Sequence, residues 1–249
     1  MRKALFLTAY NRLSYLQQVL HTWESVVGVE EWDMVAMIEP SDLSHQIVEE
    51  FEEFSRKTKF RRFSIQVNPQ VYGVLHHPWV GFENLFSTNL QGNYDFVVRA
   101  EDDIIVSNDV LEYFSWAAKK FKLDPSVATV HAFSEAEGSA RDVELISKFS
   151  PLMWGTWRDR WQELLSPTWD HDYSTFNLRP GNQSGWDWNI NTRLLPRLGL
   201  TSVCPVVSRT NNIGVVGTHG TPGNFLHLED FVQHRNTPAY RLVDSRNHD

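Results

Sequence analysis

One cysteine, Cys204, stands in 249 residues, so neither an internal disulfide nor a thiolate zinc site can form. No apolar run approaches the ~20 residues of a membrane helix. Met1-Arg2-Lys3 followed by Ala4 to Ala9 imitates the start of a signal peptide, but the apolar stretch is short and Asn11-Arg12 breaks it. It reads instead as a first buried strand, which predicts a soluble, cytoplasmic protein with no membrane anchor. Basic charge is also scarce. Lys and Arg number 23 against 31 Asp and Glu, and 23 − 31 = −8, with pI ≈ 5.7. That balance argues against extended coating of nucleic acid. No G-x-G-x-x-G follows the first strand and no P-loop Gly-Lys-Ser/Thr occurs, which removes most support for dinucleotide oxidoreductases and P-loop NTPases. With 41% hydrophobic and 22% charged residues, disorder, collagen and coiled coil are excluded.

What the chain has in excess is tryptophan. Six of its 10 (Trp154, Trp157, Trp161, Trp169, Trp186 and Trp188) crowd into one stretch. A buried indole needs a partner for its N–H. The cluster is therefore an aromatic mini-core or a platform for stacking sugar rings or bases, and on its own terms the mini-core is favoured.

Residues 1–135 alternate strand and helix. Strands are predicted at Lys3 to Ala9, Asp33 to Ile38, Phe63 to Val67, Asp95 to Ala100 and Val127 to Phe133. Helices are predicted through Leu13 to Trp23, around Ile47 to Phe54, from about Val80 to Leu90, and from a capping pair, Asp109 and Glu112, to Phe121. His76, His77 and Pro78 are read as loop. This order predicts an α/β fold with a mainly parallel, doubly wound sheet and helices on both faces. After Ser134 the periodicity weakens. Helices at Arg158 to Leu165 and Trp186 to Leu198 and a strand at Ser202 to Val207 are separated by loops, Asp170 to Ser184 and Ser208 to Phe225. With no repeat and no linker, residues 1–249 read as one domain whose second half, 136–249, is loop-rich.

The strongest chemical signal is Glu101-Asp102-Asp103 directly after the fourth strand. Three adjacent carboxylates repel one another and call for a compensating cation. The carboxyl end of a parallel sheet is where ligands bind. Hard oxygen donors select magnesium or manganese, which bridge to phosphate oxygens. A solvated acidic turn capping the next helix is the competing reading, set aside because Asp109 and Glu112 already serve as that cap.

A strand–helix half ending in this acidic triplet resembles the GT-A nucleotide-sugar glycosyltransferases, and among them the N-acetylglucosaminyltransferase I family. Val110-Leu111-Glu112-Tyr113-Phe114, Leu123-Asp124-Pro125-Ser126, Trp186-Asp187-Trp188, and Ser208-Arg209-Thr210 with Gly214 and His219-Gly220 continue the likeness in order. The resemblance implies a GT-A-like fold, with 1–135 holding the nucleotide sugar and 136–249 the acceptor. It implies Asp103 as the direct metal ligand, Asp102 at the metal or donor ribose, and Glu101 in support. Arg12 would pack on the nucleotide base. Glu39 stands where the family has an Asp that reads uracil. Trp186, Trp188 and Trp154 would line the acceptor.

Asp187 is the candidate general base of an inverting transfer, with its flanking tryptophans raising its pKa and with Asp170 and Asp172 as substitutes. Arg209 could clamp phosphate, and His219 lies in a Gly-rich stretch, Gly214 to Gly223, that reads as a mobile loop closing on the donor. His227 with Glu229 and Asp230 is a weaker metal candidate. His76, His77 and His171 read as structural or solvent-exposed. The expected activity is Mn- or Mg-dependent transfer of a sugar, GlcNAc by resemblance, from UDP to a hydroxyl on a protein, glycan or modified DNA base. A bacterial or phage cytosolic enzyme fits. The rivals are a sugar nucleotidyltransferase and a non-catalytic carbohydrate-binding module.

Overall fold

The computed structural model describes residues 1–87, 93–171, 185–214 and 240–243. A nine-stranded sheet runs in the order β11-β7-β9-β6-β8-β4-β1-β2-β3, and β10 pairs with β5 in a separate ribbon. Its first half is β1 (Lys3–Ala9), β2 (Trp32–Ile38), β3 (Arg62–Val67) and β4 (Phe96–Glu101), all parallel. Every residue of β1 and β2 is buried, the pattern of strands covered on both faces.

Side chains alternate between two cores. Leu5, Leu7, Met34, Ala36, Phe96 and Val98 face helices α1 (Leu13–Trp23), α2 (Ser44–Lys57) and α4 (Val110–Lys120). Phe6, Val35, Met37 and Val97 face α3 (Gly73–Phe86) and the tryptophan cluster. Helices on both faces make the fold doubly wound, and the first four predicted strands and three of the predicted helices stand where periodicity put them.

The helix α3 differs from expectation: it starts at Gly73 and contains Pro78. Proline cannot donate to the carbonyl four residues back. Here that carbonyl, of Val74, accepts the indole N–H of Trp186 at 3.3 Å, and the Leu75 carbonyl accepts that of Trp169 at 2.8 Å. An interruption that argues against a helix in sequence is repaired by side chains a hundred residues away.

The remaining strands are β5 (Ile104–Val106), β6 (Val127–His131), β7 (Asp142–Ile146), β8 (Trp154–Trp157), β9 (Thr201–Pro205), β10 (Thr210–Asn212) and β11 (Arg241–Leu242). The strand β8 inserts antiparallel between β4 and β6. Gly155 permits the insertion, since a Cβ there would lie 2.7 Å from the Val97 carbonyl oxygen. Short helical turns follow: α5 (Arg158–Arg160) runs into a π turn, Trp161–Leu165, while α6 (Trp186–Asn189) and α7 (Leu195–Leu198) flank another, Ile190–Leu194. No helix among the described residues is long and apolar enough to cross a membrane.

Candidate active site

Strands β1 and β4 are neighbours in register, with Thr8 opposite Glu101, so both end at one edge of the sheet. Beyond β4, Asp102 and Asp103 form the turn into β5; beyond β1 come Tyr10, Asn11 and Arg12. The Tyr10 backbone N–H donates to Asp102 Oδ2 at 3.2 Å. Arg12 bridges both aspartates, with Nη1 donating to Asp103 Oδ2 at 2.5 Å and Nη2 to Asp102 Oδ1.

Asp102 is 2% exposed and Asp103 6%. Burial pushes both carboxyls up, and that of Asp103 reaches about 7, with the negative charge of Glu101 adding to burial and Arg12 opposing it. Asp103 Oδ1 is buried without a hydrogen-bond partner. A buried carboxylate oxygen with no donor, beside a second carboxylate, is an unfavourable arrangement for a protein alone. A divalent cation relieves it, and these hard oxygens suit magnesium or manganese. Gly214 packs directly against the cluster, where a Cβ would come within 2.3 Å of Asp103 Oδ2. Among the described residues no group of three or more His, Cys, Asp or Glu side chains could cage a metal. Two aspartates with the remaining positions left to water and phosphate oxygens match the way magnesium is usually held.

Glu101 points to the other core. Its Oε1 lies 3.0 Å from Nη1 of Arg99, two residues back on the same strand face. The Arg99 guanidinium also lies over the Trp186 ring at 5.5 Å and is 3% exposed. One buried arginine thus touches both the acidic turn and the turn that carries Asp187. Sequence reasoning assigned Arg99 no role; the available signal was its same-face spacing to Glu101. Asp187 is half-buried in the first turn of α6, after Gly185 at φ +113°. Trp188 beside it is also half-buried.

Several expected site residues are engaged elsewhere. Glu39 is 4% exposed, and its Oε1 accepts the Tyr72 and Gly73 N–H groups, each at 2.7 Å, while His77 Nδ1 lies 3.6 Å away. Through Oε1 it holds the start of α3, so a base could meet only its other oxygen. Arg209 is wholly buried; its Nη1 and Nη2 donate to the Val207 and Ala140 carbonyls, and its Nε faces Asp109 at 3.3 Å. Such a guanidinium cannot clamp a phosphate. Asp109 makes no side-chain cap for α4; it accepts from Ser107 Oγ at 2.7 Å instead. The predicted capping pair does not form, and it is burial and the unpaired oxygen that distinguish the acidic turn.

The tryptophans form the mini-core. Trp154 is fully buried and Trp186 is 4% exposed; Trp186 stacks on Trp169 at 4.7 Å and lies 5.6 Å from Trp154. Neither can stack an acceptor ring, which also undercuts a carbohydrate-binding module built on them. His77 is buried and neutral, accepting from Asn68 Nδ2 at 3.0 Å, whereas His76 and His171 meet at the surface. Asp172, residues 215–223 with His219, and His227, Glu229 and Asp230 lie outside the described residues, so the expected closing loop does too.

No protein family and no curated protein matches the chain. Solved structures do. The mannosyltransferase PcManGT of Pyrobaculum calidifontis, determined with GDP-Man and Mn2+, aligns with a TM-score of 0.55 at 14% identity, over 83% of this chain and 56% of that one. S. aureus TarS 1-349 in complex with UDP aligns at 0.52 and 13%, over 84% and 59%. GalNAc-T7 with UDP, GalNAc and Mn2+ aligns at 0.57 and 8%, over 85% and 44%. The chain spans about half the length of these proteins. At such identities the likeness concerns the fold, which is the GT-A-like α/β fold expected from the sequence.

Proposed function

We propose that this chain is a metal-dependent glycosyltransferase that moves a sugar from a nucleoside diphosphate sugar to a hydroxyl acceptor. The observation that carries the reading is the buried Asp102–Asp103 pair at the end of β4, with one carboxylate oxygen lacking a donor. Its place at the carboxyl edge of a GT-A-like sheet and the nucleotides and Mn2+ bound by similar folds support it.

Asp103 and Asp102 would hold a magnesium or manganese ion, which when bound neutralises charge growing on the leaving diphosphate. Arg12, the exposed member of the cluster, offers the anionic donor a second positive charge. Asp187 removes the proton of the acceptor hydroxyl as that oxygen attacks the anomeric carbon. The bond from that carbon to the diphosphate oxygen breaks, and its electron pair leaves with the diphosphate. One base on the face opposite the leaving group gives inversion. The N-acetylglucosaminyltransferase I resemblance of Glu101-Asp102-Asp103 and Trp186-Asp187 favours UDP-GlcNAc as donor. Trp188 remains the acceptor contact on this reading.

A panel of UDP- and GDP-sugars incubated with the protein and Mn2+ tests this. Slow release of free UDP from UDP-GlcNAc, absent in EDTA, is the expected result. No hydrolysis of any donor, and no thermal stabilisation by any, would overturn it.

A further inference from the structure

Three of the four carboxylate oxygens of Asp102 and Asp103 already have donors: two from Arg12 and one from the Tyr10 N–H. The fourth, Asp103 Oδ1, is buried. The members of this cluster are not equally fixed. The Asp103 carbonyl accepts the Ile213 N–H at 2.8 Å, and the Asp102 side chain is tied to the backbone at Tyr10. The Arg12 carbonyl accepts the N–H groups of Tyr15 and Leu16, which anchors its backbone at the start of α1. Its side chain, however, is 28% exposed, against 2% for Asp102 and 9% for Asp103. The guanidinium is the part free to leave.

We infer that Arg12 and the divalent cation compete for the same carboxylate oxygens, and that cation entry turns Arg12 outward to the diphosphate of the donor. This rests on the reading of Asp102 and Asp103 as cation ligands. A planar guanidinium spans two carboxylates as a fork, neutralising them as a cation does, and a cation bridging both aspartates needs the space between them that the fork fills. A diphosphate gives the displaced fork an equivalent partner. Cation and nucleotide therefore favour each other's binding, beyond any direct contact between them, by a factor in the usual range of about 5- to 150-fold.

The test is Mn2+ binding to the full chain without nucleotide, followed by electron paramagnetic resonance of free Mn2+, in wild type, Arg12→Ala and Arg12→Lys. Competition predicts that Arg12→Ala binds Mn2+ about tenfold more tightly or better, within the same range of coupling. Arg12→Lys, which keeps the charge but lacks the planar fork, also binds more tightly, though less so, and it guards against loss of fold in the alanine variant. UDP then raises Mn2+ affinity less in both variants than in wild type. If Arg12→Lys matches wild type while Arg12→Ala tightens, distant repulsion and not competition is at work, and the inference fails. Equal Mn2+ affinity in all three also overturns it, yet leaves the metal reading standing. Absence of Mn2+ binding in all three removes both.

Discussion

Two arginine–aspartate pairs lie buried near the same end of the molecule and are built to opposite ends. Arg209 and Asp109 are fully enclosed, 0% exposed on both side chains. The Arg209 guanidinium is ringed by two backbone carbonyls and by the faces of Tyr113 and Tyr240, each at 5.7 Å, and Ser107 donates to Asp109. Arg12 with Asp102 and Asp103 is the other. Each site has one buried atom without a hydrogen bond, Arg209 Nε in the first and Asp103 Oδ1 in the second, but in the second that atom is a carboxylate oxygen and the arginine reaches solvent. The closed pair fastens β10 and α4 into the fold. The open one is poised to exchange partners. Neither burial nor one unpaired atom marks function, then; an unpaired carboxylate oxygen beside an arginine that reaches solvent does.

The comparison breaks most sharply at Asp103. Asp103→Ala is expected to lower Mn2+-dependent donor turnover by about 10³-fold or more, the scale of losing a group that stabilises developing charge. Its melting temperature should stay close to wild type, because a buried carboxylate short of a donor contributes little to stability. A large drop in melting temperature would place this pair with the closed one. Asp187→Asn should lower turnover by about 10²- to 10⁴-fold with UDP affinity nearly unchanged. Collapse of UDP binding would assign Asp187 to the donor site instead.

On the closed side, Arg209→Met should lower unfolding free energy in urea by about 3–5 kcal/mol, since it strands a buried carboxylate. Arg12→Ala also leaves Asp102 and Asp103 without their arginine, but the guanidinium is part-exposed and water can take its place, so the loss should be smaller, about 1–3 kcal/mol. Equal losses would erase the distinction. A separate effect, on pH dependence, concerns His77, whose imidazole is held down to about 3 by burial and then by the charge of Arg99. As pH falls below 6.5 the unfolded chain takes up a proton that the native site refuses until about 3, so stability declines through that window. The slope is at most about 1.4 kcal/mol per pH unit. His77→Gln should flatten the dependence between pH 6 and 4, read from melting curves at each pH; an unchanged slope would contradict the neutral, buried assignment.

Much of the fold was legible because β1, β2 and β4 are apolar runs of strand length and α1 and α4 carry helical periodicity, and the acidic triplet was found because an apolar strand ends on it. The strand β8 was not legible: Trp154 to Trp157 is only four residues long, with Gly155 and Thr156 between the tryptophans. The helix α3 was half missed because Pro78 forbids what Trp186 repairs. Arg209 and Trp154 were misread, and the Glu39 contact to α3 missed, for one physical reason. Residue type states what a side chain can bind, whereas its partner is set by contacts distant in sequence, such as Glu39 with Gly73 and Arg209 with Ala140. Arg99 went unassigned on the same ground, since its link to Trp186 exists only in three dimensions.

The most direct measurement is calorimetric titration of UDP into the wild-type chain and into Asp103→Ala, each with Mn2+ and with EDTA. UDP is expected to bind wild type tightly only with Mn2+, and Asp103→Ala to show no gain from the ion. Undiminished UDP affinity in EDTA, or the same Mn2+ gain in the variant, would contradict the metal reading.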